Sequence, residues 1–194
     1  MSCPSACSEY DDAHCILSQP QRRRKELLVS LSGKNIIKMA ALTALFTKSG
    51  AKNARAYIQS GNVIFESARE ASVMTGVSKA LRDEHNIDVP VTLRTPDALR
   101  EVLAKNPFVG ADSKLVLVLF MAEPIPEARL GGFDFKRSPP DEVHFETNAR
   151  ELYLHCPAGI ARTKYTNAYL DKALGSASTG RNVNTVDNIL KLTL

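Results

Sequence analysis

The chain has 194 residues, with 25 Lys and Arg against 21 Asp and Glu, 44% hydrophobic residues and no Trp. It is long enough to bury a core without staples. Its four cysteines, Cys3, Cys7, Cys15 and Cys156, are too few and too unevenly spread for a disulfide scaffold and are expected to be thiols. No run approaches the roughly 20 apolar residues of a membrane helix and no basic-then-apolar leader opens the chain, so a cytosolic location with no membrane partner is expected. The net charge of +4 favours anionic partners only mildly.

Residues 1–24 have no hydrophobic periodicity, which predicts a disordered N-terminal tail. Cys3, Cys7, His14 and Cys15 are ligand types that suit zinc, but their spacing matches no standard finger. The run Arg22-Arg23-Arg24-Lys25 offers phosphate contacts, and a solvated tail is the favoured reading of both features.

Lys25 to Leu31 reads as a strand and Ser32-Gly33-Lys34-Asn35 as a turn. Met39, Leu42, Leu45 and Phe46 fall at helical spacing, with Gly50 placed for a left-handed cap. The stretch Ala54 to Phe65 then holds two apolar-alternating runs around Gln59-Ser60-Gly61-Asn62, the pattern of a hairpin that displays polar side chains at its tip. Ser67 and Glu70 suggest a capping box ahead of a helix whose face carries Val73, Val77 and Leu81 and which stops at Asn86. Val89 to Arg94 reads as a strand. Thr95-Pro96 caps a third helix bearing Leu99, Val102 and Leu103, and Asn106-Pro107 ends it.

Leu115 to Met121 is a nearly all-apolar strand, followed by a short helix or turn at Glu127 to Leu130. Val143, Phe145, Leu152 and Leu154 point one way on a second hairpin turning near Thr147 to Arg150. Residues 166–174 form a helix ended by Gly175, and Val186, Ile189 and Leu190 lie on a last one. The expected fold is α+β: two ferredoxin-like halves of βαββαβ type packed together behind the tail. They span 25–107 and 114–194 and meet near residues 108–113.

Few constellations here suggest chemistry. Glu142, His144 and Glu146 share one face of a strand, a spacing open to a metal, but a solvated sheet face accounts for them and no metal site is assigned. His155 and Cys156 are adjacent on a strand and point to opposite faces, so Cys156 reads as a buried thiol. No nucleophile elbow, Walker loop, His-Glu-x-x-His or dinucleotide fingerprint occurs; no catalytic residue is assigned and no cofactor is expected. Two polar stretches stand out, Arg162 to Asn167 and Thr179 to Thr185. Each runs into a helix and joins backbone donors to positive charge, an arrangement that holds phosphates and carboxylates. Capping alone is the competing explanation.

Four blocks, Gly33-Lys34-Asn35 with Lys38-Met39, Tyr57 to Phe65, Arg150 to His155 with Gly159 to Asn167, and Thr179 to Thr185, resemble a bacterial family known as domain of unknown function 1697. The resemblance covers about residues 27–192 and implies paired ferredoxin-like halves with no established activity. The chain departs from the family where Leu27 to Ser32 lead directly to Gly33 without an Arg-Gly-Ile-Asn element, and where Val183 stands for a Trp. The leading functional expectation is a binding protein for an anionic ligand, a phosphorylated small molecule or nucleic acid, held between the halves. Lys34, Gln59, Asn62, Arg162, Lys164, Asn167, Arg181 and Asn182 are its candidate residues, with Arg162, Lys164 and Arg181 converging on one surface. The alternatives are an enzyme acting on a phosphate ester and a non-catalytic protein-interaction module.

Overall fold

Alternation along the strands and 3.6-residue periodicity along the helices sort the apolar side chains into three layers. The computed structural model describes residues 25–58 except 32–36, then 61–89, 91–146 and 150–193, with only the backbone described for 25–31. The chain runs β1 (Lys25–Leu31), α1 (Met39–Lys48), β2 (Lys52–Tyr57), β3 (Asn62–Ser67), α2 (Glu70–His85), β4 (Val91–Arg94), α3 (Pro96–Ala104), β5 (Val116–Met121), α4 (Glu127–Gly131), β6 (Glu142–Phe145), β7 (Glu151–His155), α5 (Asn167–Leu174), β8 (Ser178–Asn182) and α6 (Val183–Lys191). These described residues make a mixed α+β fold of six α-helices and two four-stranded antiparallel sheets. The strand order is β2-β3-β1-β4 in one sheet and β6-β7-β5-β8 in the other.

In β3, Val63 and Phe65 face α1 and α2, where they pack with Leu42, Phe46, Val73, Val77 and Leu81. Ile64 faces the opposite way. The same division holds in the second sheet. Leu119, Met121, Leu152 and Leu154 pack with Leu170 and Leu174 of α5, while Val118, Phe120 and Tyr153 join Ile64, Leu99, Val102, Val186 and Ile189. This third cluster is the central layer, where α3 and α6 pack on each other and both sheets turn their inner faces towards them. Burying side chains of this size stabilises by about 1.5–3 kcal/mol each. The central layer therefore fixes how the two sheets sit together.

The helix signals read from sequence hold with one exception. Thr95 caps α3 through an Ala98 N–H bond of 3.1 Å with Pro96 at the first helical position. Asn86 and Gly175 end α2 and α5 in left-handed conformations, and Gly50 follows α1 with φ +94°. The Ser67–Glu70 capping box does not form. Ser67 stays in β3 opposite Lys25, its hydroxyl accepts from Arg69 N, and Arg69 is the N-cap without a side-chain bond.

Three further expectations are corrected. Asn62 is not displayed at a hairpin tip: it is the first residue of β3, pairs with Tyr57 and is fully buried. The predicted strand from Val89 begins at Val91. The stretch Thr179 to Arg181, expected only as a polar lead into the last helix, is part of β8, hydrogen-bonded along β5 from Leu117↔Asn182 to Met121↔Ser178. The tail, Lys34, Gln59 and the second hairpin's turn at 147–149 lie outside the described residues.

Candidate functional site

Two arginines at matching places in the two sheets carry side chains across the central layer. Arg94 ends β4, immediately before the Thr95 cap of α3; Arg181 lies in β8, immediately before the Asn182 cap of α6. Each reaches the first residue of a strand in the other sheet. Arg181 Nε donates to Asn62 Oδ1 at 2.8 Å, and its Nη1 donates to Gly180 O at 2.7 Å. Arg94 meets Glu151 Oε1 through Nε at 3.1 Å and Nη2 at 3.0 Å. Burial lowers the pKa of both guanidinium groups, that of Arg181 to about 10, and for Arg94 the Glu151 carboxylate opposes the shift. Both arginines remain cationic at neutral pH, and the geometry is that of a clasp between sheets.

A cavity of about 270 Å³ opens beside the Arg94 clasp, between the start of α3 and β7. Arg94, Lys105 and Arg150 line it together with Glu101, Glu146 and Glu151. Arg94 is paired with Glu151, and Lys105 with Glu146 at 3.4 Å. Walls with three cations and three anions offer an anion attraction and repulsion in similar measure. This cavity does not favour the expected ligand.

Positive charge without that balance lies on the far side of the second sheet, where aromatic rings accompany it. Phe133 is a hub, stacked on Tyr165 at 5.7 Å and in edge contact with Phe135 at 5.1 Å and Phe145 at 5.0 Å. Phe135 remains 51% exposed. Two residues on, the Arg137 guanidinium lies 3.8 Å from the centre of the Tyr169 ring, and its Nε donates to Lys164 O at 3.1 Å. Lys164 N in turn donates to Ser138 Oγ at 3.0 Å, and Tyr165 OH to Asp134 O at 2.9 Å. Two chain segments are thereby locked together. They present exposed Lys136, Arg137, Arg162 and Lys164 beside exposed Asp134 and the half-buried Asp141. The Asp134 carboxylate accepts from Lys136 N and that of Asp141 from Ser138 Oγ.

The sequence candidates are thus divided. Asn62 and Arg181 meet each other. Arg162 and Lys164 flank the aromatic face, and exposed Asn167 opens α5 next to them. Arg181 does not join Arg162 and Lys164. It pairs with Val118, whose side chain belongs to the central layer, whereas Tyr165 packs into the outer cluster, so opposite faces of the sheet separate them. Asn182 is accounted for by capping, since its Oδ1 accepts from Thr185 N at 2.8 Å; Thr166 caps α5 likewise. Sequence reasoning missed Phe133, Phe135, Arg137 and Tyr169, although the pattern Phe-Asp-Phe-Lys-Arg at 133–137 already alternated rings with charge.

The other polar groups favour structure over chemistry. Cys156 is fully buried and burial pushes its thiol up to about 11, away from the reactive thiolate. His155 sits against Phe108 and 3.4 Å from Glu142. Among the described residues no group of His, Cys, Asp and Glu could hold a metal ion, and no helix is long and apolar enough to cross a membrane.

The model of the family described as a protein of unknown function (DUF1697) matches residues 28–153, from β1 into β7. The blocks Gly159 to Asn167 and Thr179 to Thr185 lie beyond that match. The chain is similar in fold to a conserved bacterial protein, SP0830 from Streptococcus pneumoniae, at 19% identity, a TM-score of 0.66, and coverage of 86% of this chain and 97% of that one. No curated protein matches.

Proposed function

Since the chain belongs to the DUF1697 family of proteins of unknown function, which carries no activity with it, we propose a function from the geometry: binding of a phosphate-bearing anion on the basic aromatic face formed by residues 133–137 and 162–169. One observation supports it above the rest. Arg137 is fixed by a bond to Lys164 O and by its stack on Tyr169, so part of the entropy cost of ordering a cation against phosphate has already been met in folding. A guanidinium carries five donors and suits phosphate oxygens bidentately. Lys164, Lys136 and Arg162 add charge that needs no reorganisation to reach solvent.

The same reading treats the two sheets with their helices as ferredoxin-like halves, 25–107 and 114–194. The strand order 2-3-1-4 occurring twice, each time followed by a further helix, supports it. It moves the ligand from between the halves to the outer surface of the second, and it includes a cytosolic location, which the unpaired buried Cys156 suits. Inorganic tripolyphosphate tests the proposal. It should raise the melting temperature of the full chain, less so as salt increases. The Arg162→Glu/Lys164→Glu variant, altered only at exposed positions, should fold and lose that response. An undiminished response in the variant would remove the face from consideration.

A further inference from the structure

The basic aromatic face is shaped for more than charge, and resting on the reading above we infer that its ligand is single-stranded nucleic acid, with an unpaired base stacked on Phe135. Three observations lead there. Phe135 is half exposed, yet its ring is held by edge contacts with Phe133 at 5.1 Å and Phe145 at 5.8 Å. A ring so held loses little freedom when a base covers it, which is the property of a stacking platform. Arg137, two residues away, is already held with its guanidinium carbon 3.8 Å from the centre of the Tyr169 ring, so a fixed cation accompanies the platform and is available to a backbone phosphate next to the stacked base. Arg162 and Lys164 are exposed on the segment that Arg137 bonds at Lys164 O, and they add positive charge for further backbone phosphates.

Competing occupants fit less well. A duplex keeps its bases stacked on one another and would present only phosphates, leaving Phe135 uncovered. An anionic membrane would need a set of protruding apolar groups. Among the described residues the other exposed large hydrophobic side chains, Ile58, Val109 and Leu192, belong to other parts of the chain: the first hairpin, the connector before β5 and the end of α6. One half-exposed ring among cations is too little for insertion, and enough to stack one base.

The test is fluorescence anisotropy with a labelled oligothymidylate, alongside a duplex of the same length, anionic phosphatidylserine vesicles and tripolyphosphate. The expected result is that the single strand binds more tightly than the duplex. Phe135→Ala should weaken it on the order of tenfold, while Phe135→Tyr, which keeps the ring, retains parental affinity. The tripolyphosphate response should be the same in all three proteins. Arg162→Glu/Lys164→Glu should reduce the salt dependence of binding by roughly 0.7 in log–log slope for each lost phosphate contact. Equal affinity of Phe135→Ala and parent would overturn the stacking platform. So would preference for the duplex or the vesicles, or a tripolyphosphate response without oligonucleotide binding, and the last result would leave the anion-binding reading intact.

Discussion

Replacing Arg94 with Met removes one partner of a pair that joins the two sheets, and the structure sets the size of the effect. Arg94 and Glu151 side chains are 12% and 8% exposed, and two guanidinium nitrogens converge on Glu151 Oε1 at 3.0 and 3.1 Å. At an effective dielectric of about 20, unit charges at this separation attract by about 5 to 6 kcal/mol. Desolvation of the two ions, several kcal/mol each, offsets most of that. The intact pair is therefore close to neutral, but Arg94→Met leaves Glu151 buried and uncompensated, a loss of about 3–5 kcal/mol. Arg150 lies close enough to act on Arg94 electrostatically and lines the same cavity, which places the loss at the lower end. For a chain of this length each kcal/mol shifts the melting temperature by roughly 2–4 °C, so a fall of about 6–12 °C is expected. The double variant Arg94→Met/Glu151→Met should recover most of it, because it buries neither charge. Urea unfolding of the parent, both single variants and the double variant closes the cycle. Additive losses, with the double variant the least stable, would refute the reasoning and mean that the two charges do not interact across the layer.

Gly61, at φ +77° before β3, should not accept a β-branched residue: Gly61→Val is expected to cost about 1–3 kcal/mol in chemical unfolding, and parental stability would show that the turn relaxes without strain. The Cys156 thiol, raised to about 11 from 9.0, holds its proton more tightly folded than unfolded. Its contribution is fully present below pH 9 and is lost as pH rises towards 11. The size is about 2 to 3 kcal/mol, so Cys156→Ala should flatten this part of the stability–pH curve, and an unchanged slope would assign the alkaline loss to other groups.

What could be read from sequence was what periodicity encodes. Leu42, Leu45 and Phe46, then Val73, Val77 and Leu81, then Val186, Ile189 and Leu190 were legible as buried helix faces because apolar spacing alone determines them. β8 was not legible. Its sequence, Ser-Thr-Gly-Arg-Asn, has no apolar alternation, and it is a strand because β5 pairs with it along its whole length. The same blindness placed Arg181 on one surface with Arg162 and Lys164, whereas register with Val118 turns it into the central layer. Asn62 looked like a turn residue by composition and is instead a buried partner that donates to Tyr57 O and accepts from Arg181. The aromatic face escaped because its rings come from four places, the 133–135 segment, β6, the stretch before α5 and α5 itself, and only tertiary packing brings Phe133, Phe145, Tyr165 and Tyr169 together. Arg162 and Lys164 were legible as cations ahead of a helix, but Arg137, which bonds to Lys164 O, lies 27 residues from it.

The central claim is the location of the anion site, and amide chemical-shift mapping during titration with tripolyphosphate tests it most directly. The predicted result is that the perturbed amides cluster at 134–138 and 162–167, with the shifts reversed by added salt. Perturbations centred on Arg94 and Glu151, or on Asn62 and Arg181, would contradict the account and return the ligand to the layer between the sheets.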